Sequence, residues 1–346
     1  MSDSNDKAYD PKDTKRLVVV TGAAGFLGSH ICRALLRCGY TVRAVTRQGS
    51  SRKFPDDLSK RVELWPADVR NVESLNSAFQ NADVVVHNAA IVTIGADPED
   101  LARAVNLTGT RNAIKACVGN GVRRLVYIGS IHAFSPLRGR VLDADSKLGQ
   151  HSKIPYTVTK TEAHISVLEA ARSGRINASV ICPSSLIGPG DTEPTLVGGM
   201  LLAIAQKRLP CLIDEGFWWS DVRDVAAAIA NAAGKSECLG EVYFTTGRYA
   251  KIVELARLCS QILGRRVTRP AVPYFLALAG LPFIQLYAAM KDQPPLYSRN
   301  SLDLLRDCPV SVDESSARRQ LGYESRPLEE SIRDALNWFK EQGMCL

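Results

Sequence analysis

The chain has 346 residues, 45% of them hydrophobic and 23% charged, which is ordinary for a globular protein long enough to bury a large core. Its formal net charge of +7 is spread over dispersed Lys and Arg residues without a long basic run, which argues against nucleic acid as a partner and leaves a mild positive field suited to an anionic cofactor or substrate. Nine scattered cysteines without a CxxC, and five histidines, offer no metal-ligand spacing; they fit reduced thiols in a cytoplasmic setting and no metal site.

Residues 1–14 are polar, lack the apolar core of a secretory signal and are expected to be disordered. Arg16 to Thr21 (RLVVVT) is a β-branched run bounded by glycine and reads as a buried parallel strand. The turn Gly22-Ala23-Ala24-Gly25-Phe26-Leu27-Gly28 leads into an apolar-periodic helix that stops near Gly39. Further strands are expected at 41–46, 62–69, 82–90 and 124–130, with helices over 71–80 and 98–119. A loop then precedes a helix from Tyr156 to Ser173 and a strand over 178–182. Short apolar strands alternating with longer helices predict an α/β fold with a doubly wound parallel sheet, the Rossmann fold.

Beyond Pro183 the pattern loosens, with a helix over 196–207, a helix from Asp221 to Ala233, a strand from Glu241 to Thr246, and a mainly helical remainder. The cofactor domain is assigned to 15–183, with 221–246 returning to it. Residues 184–220 and 247–346 form a smaller, mostly helical substrate-binding region. Its most apolar stretch, 271–290, begins at Pro273 and is interrupted by Pro282. A buried or amphipathic helical hairpin is expected there, with peripheral membrane contact as the lesser alternative.

A strand, then Gly22-x-x-Gly25-x-x-Gly28, then a helix lets the backbone of Gly22, Gly25, Phe26, Leu27 and Gly28 approach a pyrophosphate at a helix N-terminus. Where an NAD site usually ends its second strand in Asp or Glu, this chain has Thr46 followed by Arg47, which favours NADP, with NAD as the alternative. Asp68 and Val69, ending the third strand, are placed to reach an adenine edge. Tyr156 and Lys160 are four apart on a helix and share one face, where the ammonium is expected to lower the pKa of the phenol.

These segments resemble an extended (atypical) short-chain dehydrogenase/reductase, the class containing sugar-nucleotide epimerases, dihydroflavonol 4-reductases and 3β-hydroxysteroid dehydrogenases. The resemblance runs from Leu17 to about residue 342 on TGAAGFLGSH (21–30), ADV (67–69), HNAA (87–90), VNLTGT (105–110), VYIGS (126–130), YTVTK (156–160), CPSSLIGPGD (182–191) and SDVRDVA (220–226). It implies that Ser130 is the catalytic serine, Tyr156 the general acid/base, and Lys160 the lysine on the nicotinamide ribose. It also implies that Ala89 and Ala90 pass under the adenine-side ribose, that Pro183 and Ser185 meet the nicotinamide carboxamide, and that the chain is a homodimer. Asn106 occupies the place of an asparagine that supports the active-site helix or a water relay, with structural capping as the equal alternative.

Departures from the family pattern narrow the chemistry. The segment GSIHAF brings His132 and Phe134 in place of more usual residues, and Cys182 stands where sugar-nucleotide enzymes commonly carry Arg. Ile131 and His132 replace the acidic pair of sugar dehydratases. His132 and Phe217 are candidate substrate contacts, Phe217 opening an aromatic run with Trp218 and Trp219. The expected function is NADP(H)-dependent interconversion of a ketone and a secondary alcohol on a fairly apolar small molecule. An NAD-dependent nucleotide-sugar epimerase, favoured by Arg223, is the alternative, and a non-catalytic NADP-sensing protein the third reading.

Overall fold

In the computed structural model, residues 16–49, 53–92, 99–135, 140–236, 239–290 and 297–344 are described, with the backbone alone for Glu99 and 285–289. The segment 1–14, expected to be disordered, lies outside these. Seven strands form one parallel sheet: β1 (Leu17–Thr21), β2 (Thr41–Thr46), β3 (Glu63–Pro66), β4 (Val84–His87), β5 (Arg124–Ile128), β6 (Ala178–Pro183) and β7 (Glu241–Thr245). Their order is β7-β6-β5-β4-β1-β2-β3, every neighbouring pair parallel. All residues of β4, β5 and β6 are buried, as a sheet covered on both faces requires.

Leu27, Ile31 and Leu35 of the helix Phe26–Arg37 pack with Val225 and Ile229 of the helix Val222–Gly234 on one face. Leu75, Ala113, Cys117 and Val167, from three other helices, fill the opposite face. The chain runs outward from β1 to β2 and β3, then returns to build β4 to β7 on the other side. The order therefore reverses between β1 and β4, and the crevice beyond their carboxyl ends is where open α/β sheets bind ligands.

The helix expected over 98–119 is divided. A π-helical turn, Arg103–Thr108, joins Glu99–Ala102 to Gly109–Gly119. Such turns widen a helix locally and are frequent at functional sites. Gly109 is required just after it, because a Cβ there would lie 2.8 Å from Val69 Cγ2.

The region after Pro183 is mostly helical, as expected, but it also carries short strands that its sequence does not show. Gly216–Asp221 lies between Ser185–Ile187, in parallel, and Arg248–Lys251, antiparallel, in a second sheet. Leu212–Ile213 pairs with Ala271–Val272, and Val141–Leu142 with Ser311–Val312. Strands this short carry too few side chains to show a period of two. The segment 271–290 is likewise one helix, Tyr274–Met290, running through Pro282, where a hairpin was expected. An internal proline costs about 3 kcal/mol; packing of Ala277 and Leu281 into the core before it, and of Ile284 against the core after it, holds the helix in line.

Candidate active site

The crevice between β1 and β4 is lined by backbone. Gly22 has φ +67°, and a Cβ on it would sit 2.8 Å from Ala89 Cα, so the turns after β1 and β4 touch. A Cβ on Gly28 would meet Gly22 O at 2.1 Å, which lets the helix Phe26–Arg37 start directly against the turn. Gly25 is its N-cap and brings no side chain to the first-turn amides of Phe26 and Leu27. A cradle that any Cβ would fill, opening on a helix N-terminus, fits the pyrophosphate of a dinucleotide. Ala89 is half-buried and Ala90 exposed at its rim.

A polar chain runs beneath the cradle. Thr110 Oγ1 donates to Asn106 O (2.6 Å), so its lone pair receives His87 Nε2–H (3.2 Å). His87 Nδ1 is then the acceptor for the Thr21 hydroxyl (2.9 Å), whose oxygen accepts the amides of Asn88 and Ala89. This pattern requires neutral imidazole, and burial lowers the His87 pKa to about 3, with Lys160 adding to the effect. Asn106 continues the chain by side chain: Oδ1 accepts Ile91 N–H (2.8 Å), while Nδ2 donates to Ile91 O (2.9 Å) and to Thr159 Oγ1 (3.2 Å). Thr159 belongs to the helix that carries Tyr156, so Asn106 clamps the β4 loop to that helix.

At the other end of the crevice Arg47 is exposed after β2. Asp68 accepts from Arg70 Nε and Nη2 and from the Arg70 amide, and this pairing holds its carboxyl below the usual range, with Arg47 contributing from further away. Val69 is buried and its carbonyl accepts from Asn112 Nδ2 (3.0 Å). Arg70 was not singled out from sequence. Its position two residues after Asp68 is the only signal, and an Asp-x-Arg spacing is common on surfaces.

Ser130, Tyr156 and Lys160 come together at the carboxyl end of β5. Ser130 caps a short 3₁₀ turn, Ile131–Ala133, its Oγ accepting the His132 amide at 3.1 Å. Its hydroxyl also faces the Tyr156 phenol and its backbone amide the Cys182 thiol, each lowering the pKa of the group it meets. Pro155 starts the helix Pro155–Arg172 and places Tyr156 and Lys160 one turn apart, both buried. Lys160 Nζ donates to Ile128 O (2.7 Å) and lies 5.0 Å over the Tyr127 ring. Burial brings the Lys160 pKa down to about 8.

The Tyr156 pKa departs from expectation: it is raised. Burial of the phenolate outweighs the Ser130 hydrogen bond, and Cys182 adds to the rise. The ammonium expected to lower it is aimed at the Ile128 carbonyl instead.

His132 and Phe217 flank this group. The His132 ring lies 6.2 Å from Tyr156 and 5.3 Å from Phe217, which in turn meets Trp219 at 5.9 Å. Alternation along Gly216–Asp221 explains the pairing: Phe217 and Trp219 share a face, while Trp218 points away to Tyr249 and the Pro309 carbonyl. Burial lowers the His132 pKa to about 4. Pro183 is buried at the end of β6, and Ser185 is half-buried two residues on. Arg223 is engaged by two carboxylates, Nη2 with Asp221 and Nη1 with Asp334. Among the described residues there is no cluster of His, Cys, Asp or Glu able to hold a metal, and no helix long and apolar enough to cross a membrane.

A parallel sheet with a glycine cradle at its switch point defines a dinucleotide-binding α/β protein. The model of the NAD dependent epimerase/dehydratase family matches residues 18–243, and the chain belongs to that family; it is an NAD(P)-dependent oxidoreductase. It is 29% identical over 343 residues to sterol demethylase protein B of Methylococcus capsulatus, covering 94% of this chain and 99% of that one. It is 30% identical over 360 residues to 3beta-hydroxysteroid-dehydrogenase/decarboxylase isoform 1 of Arabidopsis thaliana, covering 94% and 80%. The solved structure of UDP-glucose 4-epimerase from Thermotoga maritima with UDP-glucose superposes with a TM-score of 0.75 at 19% identity, over 94% of this chain and 99% of that one, a likeness of fold alone.

Proposed function

We propose that the protein is an NADP(H)-dependent oxidoreductase that interconverts a ketone and a secondary alcohol on a fairly apolar small molecule, with Tyr156 as the general acid/base. The observation that carries this reading is the Ser130 hydroxyl on the Tyr156 phenol, with Lys160 one helical turn below and the rings of His132 and Phe217 alongside. Two relatives with sterol or hydroxysteroid in their names support a hydrophobic substrate.

When bound, the nicotinamide cofactor supplies the hydride that reduces the carbonyl carbon. Tyr156 gives its proton to the carbonyl oxygen as the alkoxide forms. A pKa raised by burial suits this task, because the phenol stays protonated at neutral pH. Ser130 donates a hydrogen bond to the same oxygen and stabilises its developing charge. Lys160 would hold the nicotinamide ribose and relay a proton back to Tyr156. Gly22, Gly25, Phe26, Leu27 and Gly28 hold the pyrophosphate through their backbone. Ala89 and Ala90 would lie on the adenine-side ribose, and Pro183 and Ser185 on the carboxamide. At the adenine end Arg47 takes the 2′-phosphate, while Arg70 cancels the charge of Asp68 that would repel it.

The nucleotide-sugar epimerase remains the second reading, favoured by the family model and by epimerases of the same fold. Its main support from sequence was Arg223, whose guanidinium is occupied by Asp221 and Asp334 and so is poorly placed to take a substrate phosphate. Purified protein that releases NADPH and reduces apolar ketones supports the first reading; retained NAD and turnover of a UDP-sugar support the second. Tyr156→Phe is expected to lower carbonyl reduction by at least about a hundredfold while NADPH binding, followed by fluorescence, persists. Full turnover in this variant would overturn the assignment.

A further inference from the structure

The helix Tyr274–Met290 contains no charged residue and buries only one side. Ala277 and Leu281 enter the core, whereas Phe275, Phe283 and Met290 are 65%, 76% and 77% exposed. At about 100° per residue, Phe275, Leu276, Ala279, Pro282, Phe283 and Met290 fall within an arc of roughly 120°. All six are exposed and apolar. A stripe of this kind on a globular surface marks an interaction site.

What surrounds the stripe identifies its partner. The segments entering the N-terminal end of the helix are joined by the pairing of Ala271–Val272 with Leu212–Ile213. Arg265 and Arg269 tie them further by donating to the carbonyls of Ala205 and Lys207. This junction presents Lys207, Arg208, Arg265, Arg266 and Arg269, all exposed, while the acids nearest it, Asp214 beside Ile213 and Asp303 on Tyr274, are paired with Lys251 and Arg306. We infer that this face docks on an anionic phospholipid bilayer, the helix lying in the interface with its apolar arc among the acyl chains and the basic rim on the headgroup phosphates.

The helix lies flat and does not span. Its 17 residues extend about 25 Å against a hydrocarbon core of about 30 Å, and its other side is occupied by the protein core. A second copy of the chain is a poorer occupant, since a two-fold contact through this face would bring two basic rims together. The inference is independent of the reaction assigned above.

The test is co-sedimentation of the full chain with phosphatidylcholine vesicles, with and without phosphatidylglycerol. Binding is expected to the anionic vesicles and to weaken with salt. Phe275→Ser with Phe283→Ser should weaken it at least about tenfold, since each removes a side chain from the acyl region. Arg208→Glu with Arg266→Glu should weaken it at least about tenfold on anionic vesicles only. All four positions are exposed, so the circular dichroism spectrum and NADPH binding serve as controls for folding. A native chain that stays in solution with both vesicle types, or a serine variant that binds as well as the native chain, overturns the proposal. So does a serine variant that only converts a dimer into a monomer in sedimentation velocity.

Discussion

Removing the Asn106 side chain tests whether it acts as a clamp or as part of the proton-transfer apparatus. It makes three hydrogen bonds, two to the Ile91 backbone and one to Thr159 Oγ1, and it is buried. At about 1 kcal/mol per bond, plus the cost of leaving the Ile91 amide and carbonyl without these partners, Asn106→Ala should destabilise the fold by about 2–4 kcal/mol. Asn106→Asp is the sharper perturbation. Thr159 has committed its proton to Tyr156 O, so it meets Asn106 as an acceptor. An aspartate keeps the bond from Ile91 N–H but turns an oxygen toward two other acceptors, Ile91 O and Thr159 Oγ1. The near-isosteric change should therefore cost as much as alanine. Urea unfolding followed by circular dichroism measures both losses. A destabilisation below about 0.5 kcal/mol in either variant, or full stability with a large fall in kcat, would refute the clamp.

Two further outcomes follow from charges in the structure. Arg47→Ala should weaken NADPH binding by about 10–100-fold, the worth of a charge-assisted bond, and leave NADH unchanged; equal losses for both in a titration would remove Arg47 from the 2′-phosphate site. The second outcome concerns four histidines, His30, His132 and His164 lowered to about 4 and His87 to about 3, chiefly by burial. Their folded pKa values lie below the unfolded value, so the stability they confer is complete above about pH 6.5 and is lost as the pH falls toward 4, before most carboxylates titrate. Unfolding at pH 5 should then take up roughly three to four protons, read from the slope of stability against pH; uptake below about one would show that these rings are not held neutral.

The main sheet is legible in the sequence because a strand covered on both faces is written as an apolar run ended by glycine or a polar turn. Thr41–Thr46 is read to the residue, whereas β4 keeps only Val84–His87 of the expected 82–90 and β5 loses Gly129 and Ser130. The small strands are not legible, since FWWSD carries an aromatic run whose alternation appears only once Trp218 and Phe217 face different neighbours.

 The contact geometry is less legible still. The face shared by Tyr156 and Lys160 follows from their spacing, but the rise in the phenol pKa depends on how deeply the pair is buried and on the carbonyl that Lys160 chooses. Arg223 illustrates the same limit: its neighbour Asp221 is visible in the motif, whereas Asp334 reaches it from the C-terminal helix only through the fold.

The crevice is held together by directional bonds where apolar packing runs out. At the carboxyl ends of β1 and β4 the core thins to small side chains such as Ala23 and Ala89, and the cradle there is lined largely by backbone. Hydrophobic contact has no preferred direction and cannot by itself fix two turns whose apolar contact is confined to glycine and alanine. The chain from Thr21 through His87 and Thr110 to Asn106, and on to Ile91 and Thr159, supplies the missing constraint with donors and acceptors that fit in one sense only. It joins the glycine cradle to the helix bearing Tyr156, the two parts whose separation the proposed hydride transfer would require to be held. A buried histidine with a pKa near 3 is the chemical cost of that arrangement, since an imidazolium would donate from both nitrogens and break the sequence at Thr21.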